Sequence, residues 1–211
     1  MKERIAKAIW EPYKKEKESI SGRVHYEEID RVDQIWPWLS ENHGSKIAID
    51  APHAFSPETV SYKELSLRIE LAAAAFKSLD VKPREVVALF SENSPRWLVV
   101  DQGIMRAGAC DAVRGATAPV EELKYILEDS GAIGLIIQSA ELLSKLQLDQ
   151  EKLSRLKFIL QLEGDASEGV VSWEDFIYKG TEYKKQLLIN PETNAWPDNS
   201  AILTGPPISP F

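Results

Sequence analysis

A chain of 211 residues with 44% hydrophobic residues carries enough apolar material for one large domain or two small ones. Its 25 Lys and Arg against 33 Asp and Glu leave a formal charge of −8, which argues against a polyanion-binding surface and hence against a nucleic-acid partner. The single cysteine, Cys110, excludes an internal disulfide framework and any multi-cysteine metal site, and no apolar run approaches the roughly 20 residues that span a bilayer.

The first residues, MKERIAKAIWEPYKKEKESI, lack the apolar stretch of a secretory signal. Glu3, Glu11, Glu16 and Glu18 also set them apart from acidic-poor transit peptides. Ile5, Ala8, Ile9 and Trp10 offer one apolar helical face beneath a lysine-rich one. We read this as a solvated helix docked on the main body, in preference to a helix lying on a membrane surface. The expectation is that either the protein is not imported into an organelle or its targeting segment is not in this chain.

Residues 46–50 (KIAID) suit a short strand. Ser61 and Glu64 have capping-box spacing and predict a helix start, after which Leu65, Ile69, Ala72, Phe76 and Leu79 recur at steps of four and three. Lys82-Pro83 breaks the pattern. Residues 86–90 (VVALF) are apolar without alternation, as expected of a strand buried on both faces of a parallel sheet. Ser94 followed by Pro95 predicts a second helix start. That helix is apolar nearly all round, so it should lie between layers, and Gly108 ends it. A strand follows at 109–113. Pro119 opens a third helix with Leu123, Ile126 and Leu127 facing the core and Gly131 beyond its end. Strands at 133–138 and 157–162 flank a helix at 140–148. Residues 163–169 read as a loop, 173–188 as a helix of mixed exposure, and 200–204 as a last short strand. Strand and helix alternate, which is the signature of an α/β fold: a mainly parallel sheet with crossover helices.

The block at 93–131, NSPRWLVVDQGIMRAGACDAVRGATAPVEELKYILEDSG, resembles a pattern of the adenylate-forming (AMP-binding) acyl synthetases, roughly N-S-P-x-W, an apolar helix ending A-G-A, a strand, then P-x-E-E-L-x-Y-I-L-x-D-S. V-S-Y-K-E-L at 60–65 is similar to that family's T-Y-x-E-L. D-Q-G-I-M at 101–105 and V-R-G at 113–115 look like the long-chain acyl-carrier-protein synthetases of plastids and cyanobacteria. The resemblance weakens outward from about residue 46 to residue 204. It implies an incomplete N-terminal domain of the synthetase fold at 46–204, preceded by a helical or extended lead-in at 1–45 and followed by a divergent Pro-rich tail at 205–211.

In that family ATP and a carboxylate form an acyl-adenylate, and a thiol then displaces AMP. The phosphates call for backbone amides, a cation and Mg²⁺. The family's loop, close to T-S-G-T-T-G-x-P-K-G, follows a short apolar strand. Here Thr204 and Gly205 match its start, and the chain then departs into PPISPF. The resemblance therefore implies a fragment truncated before the phosphate loop. It holds no complete cofactor site, expects no cofactor of its own, and is catalytically incompetent alone; ATP and Mg²⁺ belong to the full-length family. Plastid location is suggested by the resemblance only.

Other candidates have plainer readings. His25, His43 and His53 share no metal-ligand spacing and read as surface or loop histidines. Glu92, Asn93, Asp111 and Arg114 fall near strand ends and are expected in caps, salt bridges or loop hydrogen bonds. Cys110 reads as a buried small hydrophobe without a partnering base. Glu121 and Glu122 compensate a helix dipole. Trp36, Trp38, Trp97, Trp173 and Trp196 are packing anchors. No catalytic or metal residue is assigned. An alternative is a non-enzymatic interaction fragment that binds a full-length synthetase or an acyl carrier protein, or self-associates through exposed apolar surface. An independent flavodoxin-like domain fits less well, because neither a glycine-rich loop nor an acidic phospho-acceptor cluster follows the early strands.

Overall fold

The computed structural model describes Ile29 and residues 31–189. The helix expected within the first 20 residues, the strand expected at 200–204 and the tail at 205–211 lie outside the described residues. Two units are distinguished, Met1–Ile35 and Trp36–Phe211. In the first, a 3-10 turn at Val32–Gln34 is flanked by Arg31, whose guanidinium donates to the Asp33 carboxylate at 3.0 and 3.1 Å.

The elements in chain order are α1 (Ile35–His43), β1 (Ile47–Ala51), β2 (Glu58–Ser61), α2 (Tyr62–Ser78), β3 (Val86–Phe90), α3 (Pro95–Ala107), β4 (Cys110–Arg114), α4 (Val120–Asp129), β5 (Gly134–Ile137), α5 (Ala140–Leu146), α6 (Gln150–Arg155), β6 (Phe158–Gln161) and α7 (Trp173–Ile189). The last four strands after β2 form one parallel sheet in the order β4-β3-β5-β6. Its central strand β3 is apolar at every position because both its faces are covered. Val87 and Leu89 pack with α2, α3 and α7, whereas Ala88 and Phe90 pack with α4 and α5. The fold is thus α/β, with helices on both faces of a parallel sheet.

The helix starts follow from local chemistry. Ser61 Oγ accepts from the Glu64 amide at 3.2 Å, and Ser94 Oγ accepts from the Trp97 amide at 3.0 Å. The reciprocal half of the expected capping box is replaced by an ion pair. The Glu64 carboxylate takes Arg68, one turn on, at 2.6 Å, and Arg68 also holds Glu58 of β2 at 2.5 Å. Gly108 closes α3 in the left-handed conformation, as its position predicts.

Three expectations are corrected. The segment 46–50 does form a strand, but it pairs antiparallel with β2 in a separate two-stranded sheet, and β2 itself was not foreseen. The single helix expected at 140–148 is two: the chain turns at Gln147 (φ 44°), and Asp149 caps α6 by accepting from the Lys152 amide at 2.8 Å. Cys110 is exposed, not buried, because β4 is the outer strand of the sheet.

Helix α2 runs between α3 and α7, and its sequence LAAAAF explains how it can. Ala72, Ala73, Ala74, Ala75 and Phe76 are all fully buried or nearly so. On one side α3 presents Gly103, where a Cβ would stand 2.6 Å from Ala72 Cβ. On the other side α7 presents Gly180 against the Leu71 carbonyl and Ala75. Phe76 then fills the space beyond, with ring centroids 4.8 Å from Phe176 and 6.0 Å from Phe158. Adding a methyl group at Gly180 should therefore push against backbone. Although alanine is the better helix former, Gly180→Ala is expected to lower stability by about 1–3 kcal/mol in urea unfolding. An increase in stability would show that the α2–α7 contact is looser than this.

Candidate functional site

Helix α3 carries the chain from β3 outward to β4, whereas α5 and α6 carry it from β5 the other way to β6. Strands β3 and β5 are adjacent, so the order reverses between them. The crevice beyond their carboxyl ends is where open α/β sheets bind ligands.

The residues there form a connected polar set. The Glu92 amide donates to Gln138 Oε1 at 3.1 Å, and Gln138 Nε2 donates to Glu163 Oε2 at 3.1 Å. The Glu92 carboxylate accepts from both the amide and the hydroxyl of Thr117, at 3.1 and 3.0 Å. These bonds tie together the loops that follow β3, β4, β5 and β6. Nearby, the turn of the β1–β2 hairpin closes over the start of α3 and encloses an open cavity of about 580 Å³. Its polar lining includes Asp50, His53, Asn93, Gln138 and Glu163.

Charge decides what such a crevice can hold. Among the described residues, two carboxylates, Asp50 and Glu163, line it, and no Lys or Arg does. Polyphosphate needs donors and cations at short range, so the described lining does not fit a nucleotide's phosphates. Nor is there, among the described residues, a group of three or more His, Cys, Asp or Glu able to hold a metal ion. Beside the crevice, Arg96 at the first turn of α3 donates to the Leu162 carbonyl, lies 5.1 Å from the Trp173 ring centroid and approaches Glu174 at 3.6 Å. This cation is committed to fastening α7 to the sheet.

Of the residues singled out from sequence, Glu92 and Asn93 do reach the crevice region, Glu92 through a loop hydrogen bond as expected. Arg114 lies at the end of β4 and pairs with Glu122 at 2.7 Å, so Glu122 serves a salt bridge as well as the first turn of α4. Asp111 departs from its expectation. It sits inside β4, opposite Val87, and its carboxyl meets that of Asp101 on α3. His43 stacks edge-on against Trp38 at 5.8 Å, and His53 lines the cavity. Trp36, Trp97 and Trp173 pack against the core as anchors, whereas Trp196 and His25 lie outside the described residues. Thr204 and Gly205 also lie outside them. Gln138, Glu163 and Thr117 were missed, although the first directly follows a strand whose end was read at 138.

This arrangement defines a doubly wound α/β domain with a polar crevice at its switch point. The chain matches the profile of the AMP-binding enzyme family over residues 37–204, and it belongs to that family. It is 31% identical over 191 residues to a chloroplastic long-chain-fatty-acid–acyl-carrier-protein ligase of Arabidopsis thaliana, covering 86% of this chain and 26% of that one. To an acyl-activating enzyme of the same plant, also named chloroplastic, it is 34% identical over 155 residues, 73% of this chain and 22% of that one. The crystal structure of an anthranilate CoA ligase with anthranoyl-AMP superposes with a TM-score of 0.59 at 25% identity, over 68% of this chain and 27% of the other. The chain thus spans about a quarter of the length of these two curated relatives.

The loop-tying role of Glu92 is testable. Glu92→Ala should cost about 1 kcal/mol in urea unfolding. A double-mutant cycle with Thr117→Val should show coupling of at least roughly 0.5 kcal/mol. Additive effects would mean that the two residues act separately.

Proposed function

We propose that this chain carries the N-terminal, fold-forming part of a long-chain fatty acid ligase acting on acyl-carrier protein or CoA, and that it does not form acyl-adenylate by itself. The observation that carries the second half is the sign of charge at the switch-point crevice. Carboxylates at Asp50 and Glu163, with no lining cation among the described residues, would repel the triphosphate that the reaction must activate. The sequence beyond Thr204 adds support, since PPISPF departs from the glycine-rich pattern of the family's phosphate loop. In this reading ATP and Mg²⁺ are handled by residues that these 211 do not supply, and the chloroplastic relatives suggest a plastid setting.

A second reading is an interaction fragment that binds a full-length synthetase. It draws on the outer edge of β4, unpaired among the described residues, where Val113 and Cys110 are exposed. An open strand edge is a template for pairing with another chain. The net charge of −8 weighs against docking to an acidic carrier protein.

Purified 211-residue chain should give no fatty-acid-dependent ATP–pyrophosphate exchange under conditions where a full-length acyl-carrier-protein ligase exchanges readily. Robust exchange would overturn the incompetence. For the interaction reading, the tagged chain should retain full-length ligase in a pull-down, and a charge on the edge (Val113→Lys) should abolish retention. Equal retention by both forms would remove the β4 edge as the contact.

A further inference from the structure

Helix α3 holds a part-buried polar chain that lies outside the crevice. The Trp36 indole donates to Gln102 Oε1 at 2.6 Å, and Gln102 Nε2 donates to Asp101 Oδ2 at 2.6 Å. An indole N–H can only donate, so Gln102 must turn its oxygen to Trp36 and its nitrogen to Asp101. The direction of the chain is thereby fixed. Asp101 is 7% exposed and meets Asp111 of β4 side chain to side chain, while Asp111 Oδ2 is buried and takes no hydrogen bond from any other group. Two ionised carboxylates can only accept, so the cluster lacks one donor.

We propose that Asp101 and Asp111 share a single proton, and that this proton fastens the edge strand β4 to α3, making the edge of the sheet a pH-responsive element. With the proton present, donors and acceptors alternate from Trp36 through Gln102 and Asp101 to Asp111. Once it is lost, two like charges face each other at a largely buried site, a situation in which one member of a carboxyl pair is held protonated to unusually high pH.

Asp111 behaves accordingly. Burial, then the hydrogen bond and the charge of Asp101, raise its carboxyl from 3.8 to about 7, against a smaller lowering by its own backbone amide. Among the described residues, no cation acts on the Asp111 carboxyl. On β3 the residue opposite Asp111 is Val87, and on α1 the contact is the neutral Trp36. Where α2 meets α3, Lys77 feels Arg106, and burial followed by that charge lowers Lys77 to about 8.

The sign follows from proton linkage. The folded chain keeps a proton that the unfolded chain releases above about pH 4, so stability should fall as pH rises from about 4 to 7 and then level off. The full 211-residue chain labelled with ¹³C at aspartate carboxyls should show one resonance titrating near 7 and absent in Asp111→Asn. Titration of every carboxyl below pH 5 would overturn the proposal, and this reading needs no variant to fold. In thermal melts at pH 5 and pH 8, the wild type should lose several degrees at the higher pH. Asp111→Asn should lose much less, and Asp101→Asn, whose amide can donate to Asp111, should also flatten the profile. Parallel pH profiles for all three proteins would exclude a shared proton. Faster amide exchange in β4 than in β5 on going from pH 5 to pH 8, after correction for intrinsic rates, would place the loosening at the edge. Equal change in both strands would deny the edge its special role.

Discussion

The close approach of three helices on one face of the sheet sets the rest of the structure. Helix α2 can lie between α3 and α7 only because Ala72, Ala73 and Ala75 are small and because Gly103 and Gly180 remove the side chains that would meet them. Interiors packed at crystal-like density do not tolerate an added methyl at such points without a shift. Once α3 is fixed at that distance, Val99, Val100 and Ile104 are pressed onto Val87, Leu89 and Ile136 of the sheet. The N-terminal end of α3, with Ser94 capping it, is then held at the crevice. The scaffold's most restrictive contact is therefore a layer away from the polar residues it positions.

The sheet order produces the crevice, and the loops determine its chemistry. Adjacent strands β3 and β5 send the chain in opposite directions, so no crossover covers the gap between their carboxyl ends. Into that gap come an amide, Gln138, and carboxylates, Glu92, Glu163 and Asp50. Each hydrogen bond there joins one loop to another. The set is better suited to holding four loop starts in register than to gripping an anion. Nearby cations are engaged elsewhere: Arg96 serves the α7 junction and Arg114 serves Glu122.

Much of this was legible in the sequence wherever one local rule dominates. Serine before a helix, proline at its first turn, an apolar run of strand length and glycine at a helix end each specify a backbone state through bonds a few residues apart. So Ser61, Ser94, residues 86–90 and Gly108 fell where expected. The misses share another cause. Strand β2 exists because β1 pairs with it, and the exposure of Cys110 follows from the place of β4 at the sheet edge. Both are tertiary facts that four or five residues do not encode. Asp149 did carry a local signal for α6, but the apolar residues on either side of it read equally well as one continuous helix.

The pair formed by Asp101 and Asp111 is the sharpest instance. They are ten positions apart, one in a helix and one in a strand, and each alone reads as an ordinary surface acid. Only the return of the chain from α3 into β4 brings them together, in the register that sets Asp111 opposite Val87 and so on the α3 side of the sheet. Because side chains alternate along a strand, a slip of one residue would turn Asp111 to the other face and leave Asp101 with the Gln102 amide alone. Family membership accounts for the strand and the helix, since both belong to the scaffold. Burying a carboxyl pair disfavours the charged forms, so the helix-to-strand junction carries a pH dependence that neither element would have alone.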